Sequence, residues 1–78
     1  MISAQQIRAA RALLEWTQPR LASAAGLSVP TIIRMEGPLG PSRSVVANVE
    51  AVRRALEDAG VIFLDAEYQA GRGVRLRN

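Results

Sequence analysis

The side chains in this chain that could do chemistry are almost all hydrogen-bond donors of one kind. All ten basic residues are arginine, and there is no lysine, no histidine and no cysteine. A planar guanidinium fork suits bidentate contact with a phosphate or a guanine edge. Without His or Cys, the usual nucleophile–base pairs and zinc ligation by those residues are excluded, and so are disulfides. The expected chemistry is recognition rather than bond-making, with no enzyme activity, no cofactor and no metal. Net charge is +3 with a pI near 11.1, which favours an anionic partner. Codon bias in a GC-rich bacterial genome also raises Ala and Arg together and gives the same counts.

The polar residues with the most telling spacing lie between Gln18 and Ser44, and short elements must hold them. In Gln18–Glu36, QPRLASAAGLSVPTIIRME, a small residue (Ala22), a glycine (Gly26) and two apolar residues (Ile32, Met35) fall where two short helices crossing at a tight turn need them. Thr17 is a natural N-cap for the first of these helices, with Pro19 in its first turn. Gly26 stops it, and Ser28 caps the second with Pro30 in its first turn. Gly37 ends that helix. The crossing must be small, so Ala22→Leu would overpack it at a cost of roughly 1–3 kcal/mol. Leu21, Ala25, Leu27, Ile32 and Met35 are expected in the core.

Before this pair, Ser3 and Gln6 form a capping box, bracketed by Ile2 and Ile7 as a hydrophobic staple. Ile7, Ala10 and Leu14 repeat at helical spacing, with Leu13 widening the stripe, so a helix should run from about Ala4 to Glu15. Arg11 and Glu15 stand four apart on its surface. Trp16 is expected to pack against the core or the helix end.

After the pair, Gly37–Pro41 (GPLGP) reads as a loop, and Ser42 or Ser44 as the start of a fourth helix. Val45, Val49, Val52 and Leu56 form its buried stripe, Glu50–Arg54 and Arg53–Glu57 its surface pairs, and Gly60 its end. Val61-Ile62-Phe63-Leu64 is too short for another helix, while Val74 and Leu76 alternate with Arg75 and Arg77 beyond a turn flanked by Gly71 and Gly73. These residues predict a C-terminal β-hairpin with strands near 61–65 and 73–77. Two strands alone are marginal in water, so they must lie on the helices or on another subunit. The basic tail residues Arg72, Arg75 and Arg77 either touch an anionic partner or protect a strand edge.

Seventy-eight residues make one small domain whose core is marginal enough to invite a dimer partner. No apolar run approaches a membrane span, and the N-terminus lacks a signal-peptide layout, so a cytoplasmic location and no membrane partner are expected. No ligand signature is evident for a small molecule.

The segment resembles the phage-repressor and Cro-like (XRE) helix-turn-helix family at Gln18, Leu21, Ala22, Gly26, Leu27, Ser28, Thr31, Ile32, Arg34 and Glu36. The flanks Ile7-Arg8-Ala9-Ala10-Arg11 and Trp16-Thr17-Gln18 match as well, and the likeness covers about residues 3–59. The resemblance implies a mainly α, four-helix repressor-like DNA-binding domain with a helix-turn-helix, here residues 1–60, plus the 61–78 hairpin extension. It further implies that the helix Val29–Glu36 enters the major groove of double-stranded DNA, with Ser28, Val29, Pro30, Thr31 and Arg34 facing the groove. Gln18 would reach a phosphate, and Arg43 and Ser44 would match the segment touching the sugar–phosphate chain. Arg20, one turn into the second helix, stands near a phosphate in the same arrangement.

Val29 and Pro30 depart from the family, which often has hydrogen-bonding side chains there. They can only pack on a thymine methyl or shape the approach, which leaves Arg34 as the best candidate for a direct base contact, with a phosphate clamp or a solvated arginine as the alternatives. Ile33 faces either the groove rim or the loop after the motif. The expected function is therefore a small dimeric transcriptional repressor, with the hairpin as the dimerisation candidate. An antitoxin or protein-binding adaptor on the same fold is the alternative.

Overall fold

A computed structural model describes residues 1–66 and 71–78. Four helices precede two strands: α1 (Ala4–Leu14), α2 (Gln18–Ala25), α3 (Val29–Met35), a 3-10 turn (Gly40–Arg43), α4 (Val46–Asp58), β1 (Val61–Leu64) and β2 (Gly73–Leu76). No helix among the described residues is long and apolar enough to cross a membrane.

The caps of the first three helices follow the local chemistry. At α1 the Ser3 hydroxyl accepts from the Gln6 N–H at 3.1 Å, and Gln6 Oε1 accepts from the Ser3 N–H at 2.9 Å. Thr17 and Ser28 cap α2 and α3 in the same way, through the N–H groups of Arg20 and Thr31. Gly26 takes a left-handed φ of 70° between α2 and α3, where Leu27 N–H reaches back to the Ala22 carbonyl and Gly26 N–H to that of Ser23. This pair of bonds is a Schellman ending, which reverses the chain within three residues.

The C-terminal end of α1 differs from the sequence expectation. The helix stops at Leu14, because Glu15 adopts the left-handed region at φ 57° and Trp16 N–H bonds back to the Arg11 carbonyl. The same Schellman geometry operates there without a glycine.

Ile7, Ala10, Leu21, Ala22, Ile32, Met35, Val49, Val52, Leu56 and Val61 join Ile2 in one buried cluster. Leu14, Trp16, Ala25 and Leu27 pack half-buried against it. Leu13 does not widen the α1 stripe; it is exposed at the stripe's margin.

The region after α3 needs several corrections. Glu36 closes α3 in a right-handed conformation, and Gly37 follows without the left-handed backbone that ends α2. GPLGP is not all loop, since Gly40 turns the chain at φ 64° into the 3-10 turn. Neither Ser42 nor Ser44 caps α4. The Ser42 hydroxyl donates to the Leu39 carbonyl, and the Ser44 N–H to that of Pro41, so both serve the 3-10 turn. Helix α4 starts at Val46 with Val45 in the cap position and no side-chain cap. Val45 thereby leaves the buried stripe and stands 66% exposed, while Val49, Val52 and Leu56 keep it. Arg53 and Glu57 pair at 3.3 Å; Glu50 and Arg54 do not.

The hairpin is antiparallel, with Val61 opposite Leu76, Ile62 opposite Arg75, Phe63 opposite Val74 and Leu64 opposite Gly73. Gly73 opens β2 instead of flanking the turn, and the connection includes residues 67–70, outside the described residues. β1 lies against α4 and β2 against α1. Val61, Phe63, Val74 and Leu76 point at the helices. A two-stranded ribbon too small to stand alone thus gains a helical floor.

Candidate functional site

The α2–α3 pair is held from below by a charge network. The Arg11 guanidinium meets the Glu36 carboxylate through two bonds, Nε to Oε2 at 2.7 Å and Nη2 to Oε1 at 2.8 Å. Its remaining Nη1 donates to the Trp16 carbonyl at 3.0 Å. Gln18 Nε2 adds a bond to Glu36 Oε1 at 3.2 Å, and Arg8 Nη1 donates to the Glu36 backbone carbonyl. Glu36 is almost wholly buried, with a side-chain exposure of 3%. The bond from Glu36 raises the Arg11 pKa above the ordinary arginine value, with partial burial opposing and the nearby negative charge adding to the rise. The end of α3, the start of α2 and the middle of α1 are therefore tied at one carboxylate.

Arg11 was expected to pair with Glu15 one turn along its own helix. It turns inward to Glu36 because a bidentate, partly desolvated carboxylate outweighs an exposed i,i+4 partner. Arg8 and Arg11 are the network residues that local spacing does not reveal. A buried acid beyond an α-helical pair and two arginines on one face of the preceding helix are the only sequence signals for them.

The upper side of the same helices carries the candidate site residues. Ser28 and Arg34 are exposed, and Thr31 is half-buried. The Ser28 and Thr31 hydroxyls stand 2.8 Å apart and share a hydrogen, which fixes both at the head of α3. The Arg34 side chain makes no hydrogen bond or ion pair among the described residues. Pro30 is exposed, and Val29 is half-buried against the core cluster, so its side chain is shared between core and surface. Ile33 is 51% exposed, so the loop after α3 does not cover it.

Gln18 has its side-chain amide committed to Glu36, while its backbone opens α2. Arg20 is exposed and lies over the Trp16 ring, 5.0 Å from the centroid. Arg43 projects exposed from the 3-10 turn, which packs on α3, and Ser44 is half-buried beside it. The surface around α3 thus offers two hydroxyls and two uncommitted guanidinium groups, while beneath it the Arg11–Glu36 pair is neutral and Arg8 adds one positive charge. Such a surface can hydrogen-bond an anionic or base-edge partner and carries no nucleophile–base pair.

Comparison with known proteins gives no matching family model and no matching curated protein.

Proposed function

We propose that this chain is a sequence-specific DNA-binding transcriptional regulator of the phage-repressor and Cro-like (XRE) kind, with α2 and α3 as its helix-turn-helix. The observation carrying this reading is the division of α3 into two faces. Ile32 and Met35 are fully buried, while Ser28, Arg34 and the half-buried Thr31 lie on the side away from the core. The Gly26 turn and the Arg11–Glu36 network hold that face at a fixed angle to α2. In this reading α3 lies in the major groove and Arg34 reads a base, most simply guanine by a bidentate contact. Arg43, Arg20 and the α2 start at Gln18 meet phosphates, with Ser44 beside them. The protein acts as a cytoplasmic homodimeric repressor reading half-sites about 34 Å apart, with residues 1–60 as reader and 61–78 as extension.

A second reading, an antitoxin or protein-binding adaptor, draws on the head of α3. Val29 and Pro30 offer no hydrogen bond to a base, and Val29 is partly taken into the core.

Salt titration of duplex binding separates the two. The regulator reading expects affinity to fall steeply and linearly in log–log form with salt, and Arg34→Ala to lose discrimination between sequences. A chain with no duplex affinity at low salt, or one that binds only with another protein present, points to the adaptor.

A further inference from the structure

The two edges of the hairpin are not alike. The Arg77 N–H donates to the Gly60 carbonyl at 2.8 Å, which fixes the alternation of the ladder. Ile62–Arg75 and Leu64–Gly73 are then the pairs that exchange hydrogen bonds, in step with the single bond at Gly60–Arg77, where the Gly60 N–H turns to Glu57. Gln6 Nε2 reaches both the Leu64 and Gly73 carbonyls, at 3.1 and 3.0 Å, as only a hydrogen-bonded pair allows. The N–H and C=O groups of Val61 and Phe63 therefore point away from β2. They meet no partner among the described residues. On the other strand, Arg75 folds back so that Nη1 donates to the Leu76 carbonyl at 3.2 Å, closing part of the outer edge of β2 with charge. Beside β1 the nearby charge is Arg53 of α4, which lies 5.7 Å from the centroid of the Phe63 ring and pairs with Glu57 without bonding the β1 backbone among the described residues. The four β1 residues, Val-Ile-Phe-Leu, include no charge, proline or glycine.

We propose that the β1 edge is the self-association surface of this protein, and that its occupant is β1 of a second copy. An antiparallel pairing centred on Ile62 sets Val61 of each copy opposite Phe63 of the other. All four outward groups of one strand are then matched by those of its copy, and a two-fold axis results. The ribbon becomes a continuous four-stranded sheet with the helices of both copies on one face. Ile62 meets its counterpart at the axis on the other face, close by Leu64, which is 41% exposed when alone. Charge selects the edge. Pairing through β2 would bring Arg75 and Arg77 of both copies together, whereas β1 itself carries no charge and the nearby Arg53 is paired with Glu57. The proposal concerns only the dimeric part of the regulator reading and does not depend on DNA binding.

Sedimentation of the full chain without DNA, over a micromolar concentration series, is expected to show a monomer–dimer equilibrium. Ile62→Glu faces Arg75 within its own hairpin but sets like charges directly across the axis, and should raise the dimer Kd by roughly tenfold or more. Its far-ultraviolet circular dichroism should match wild type. Ile62→Cys gives an independent reading, since the chain has no other cysteine. A non-hydrogen-bonded pair has its Cα atoms about 4.5 Å apart, within disulfide reach. Mild oxidation should link Ile62→Cys into covalent dimers and leave Arg75→Cys as monomer. A wild type that stays monomeric, an Ile62→Glu dimer of unchanged affinity, or faster linkage at Arg75→Cys would each overturn the proposal. A chain that dimerises this way but ignores DNA refutes the regulator reading alone.

Discussion

Arg11 grips Glu36 with two parallel bonds across 25 residues of sequence, at 2.7 and 2.8 Å. The acid is buried, so the pair behaves unlike an exposed ion pair. Removing one partner leaves the other desolvated and uncompensated, whereas replacing both with apolar side chains removes two desolvation costs together. Arg11→Ala is expected to destabilise the fold by about 3 kcal/mol. An Arg11→Met, Glu36→Leu double variant should lie within about 1 kcal/mol of wild type, or above it. Urea unfolding of the four chains in the cycle checks this. Additive losses would show that the two residues do not act as a pair.

Gln6 performs two tasks with the two ends of one amide. Its oxygen completes the capping box, and its nitrogen bridges the Leu64 and Gly73 carbonyls, fastening the hairpin to α1. Gln6→Glu keeps the first task but aims a carboxylate oxygen at two carbonyls in a buried site, a loss of about 2 kcal/mol. Ser3→Ala removes only the cap bond from the Gln6 N–H to the Ser3 hydroxyl and should cost about 1 kcal/mol. Hydrogen exchange tells the two apart. Gln6→Glu should strip protection from the Ile62 and Arg75 amides, and Ser3→Ala should leave it. Equal protection in both variants would mean that the amide bridge does not hold the hairpin.

Much of this fold was legible because its signals are local. The caps at Ser3, Thr17 and Ser28 and the reversal at Gly26 each depend on residues within one turn of each other. The hairpin strands came within a residue of their expected limits, since the apolar run and the Val74–Leu76 alternation are short-range patterns. What local signals could not reveal is where competing local options are settled by distant partners. Arg11 chose Glu36 over Glu15, and Gln6 found the hairpin carbonyls. Ser42 and Ser44, both good caps by type, were taken by the 3-10 turn that Gly40 starts, which moved α4 on to Val46. At the candidate site the exposure of Arg34 followed from the family resemblance carried over position by position. The sharing of Val29 with the core did not, because it depends on how deeply α3 sits.

Trp16 is the only tryptophan, and Arg20 rests on its ring. If Arg20 moves to a phosphate when duplex binds, the ring loses its cation and its emission changes. Titrating duplex DNA at low salt should therefore give a saturable change in Trp16 fluorescence whose midpoint rises with salt. In Arg20→Ala the starting emission should already resemble the bound state, with little further change at saturating DNA. An unchanged spectrum in the wild type, with binding shown by a second method, would place Arg20 away from the backbone.

Helix α4 begins without a side-chain cap, at a residue whose two methyl groups face solvent. Val45 has the extended backbone of an N-cap, with φ −62° and ψ 134°, so an oxygen-bearing side chain fits there without moving the chain. An aspartate would accept one of the orphan N–H groups of the first turn and place its charge at the positive end of the helix. Burial opposes it little, because Val45 contributes no core contact. Val45→Asp is thus expected to stabilise the monomer by about 1 kcal/mol, raising Tm by about 4–8 °C for a domain of this size. Calorimetry at low protein concentration measures this apart from any self-association. A Tm below wild type would show that the valine packs against something worth more than a cap, contradicting its exposure.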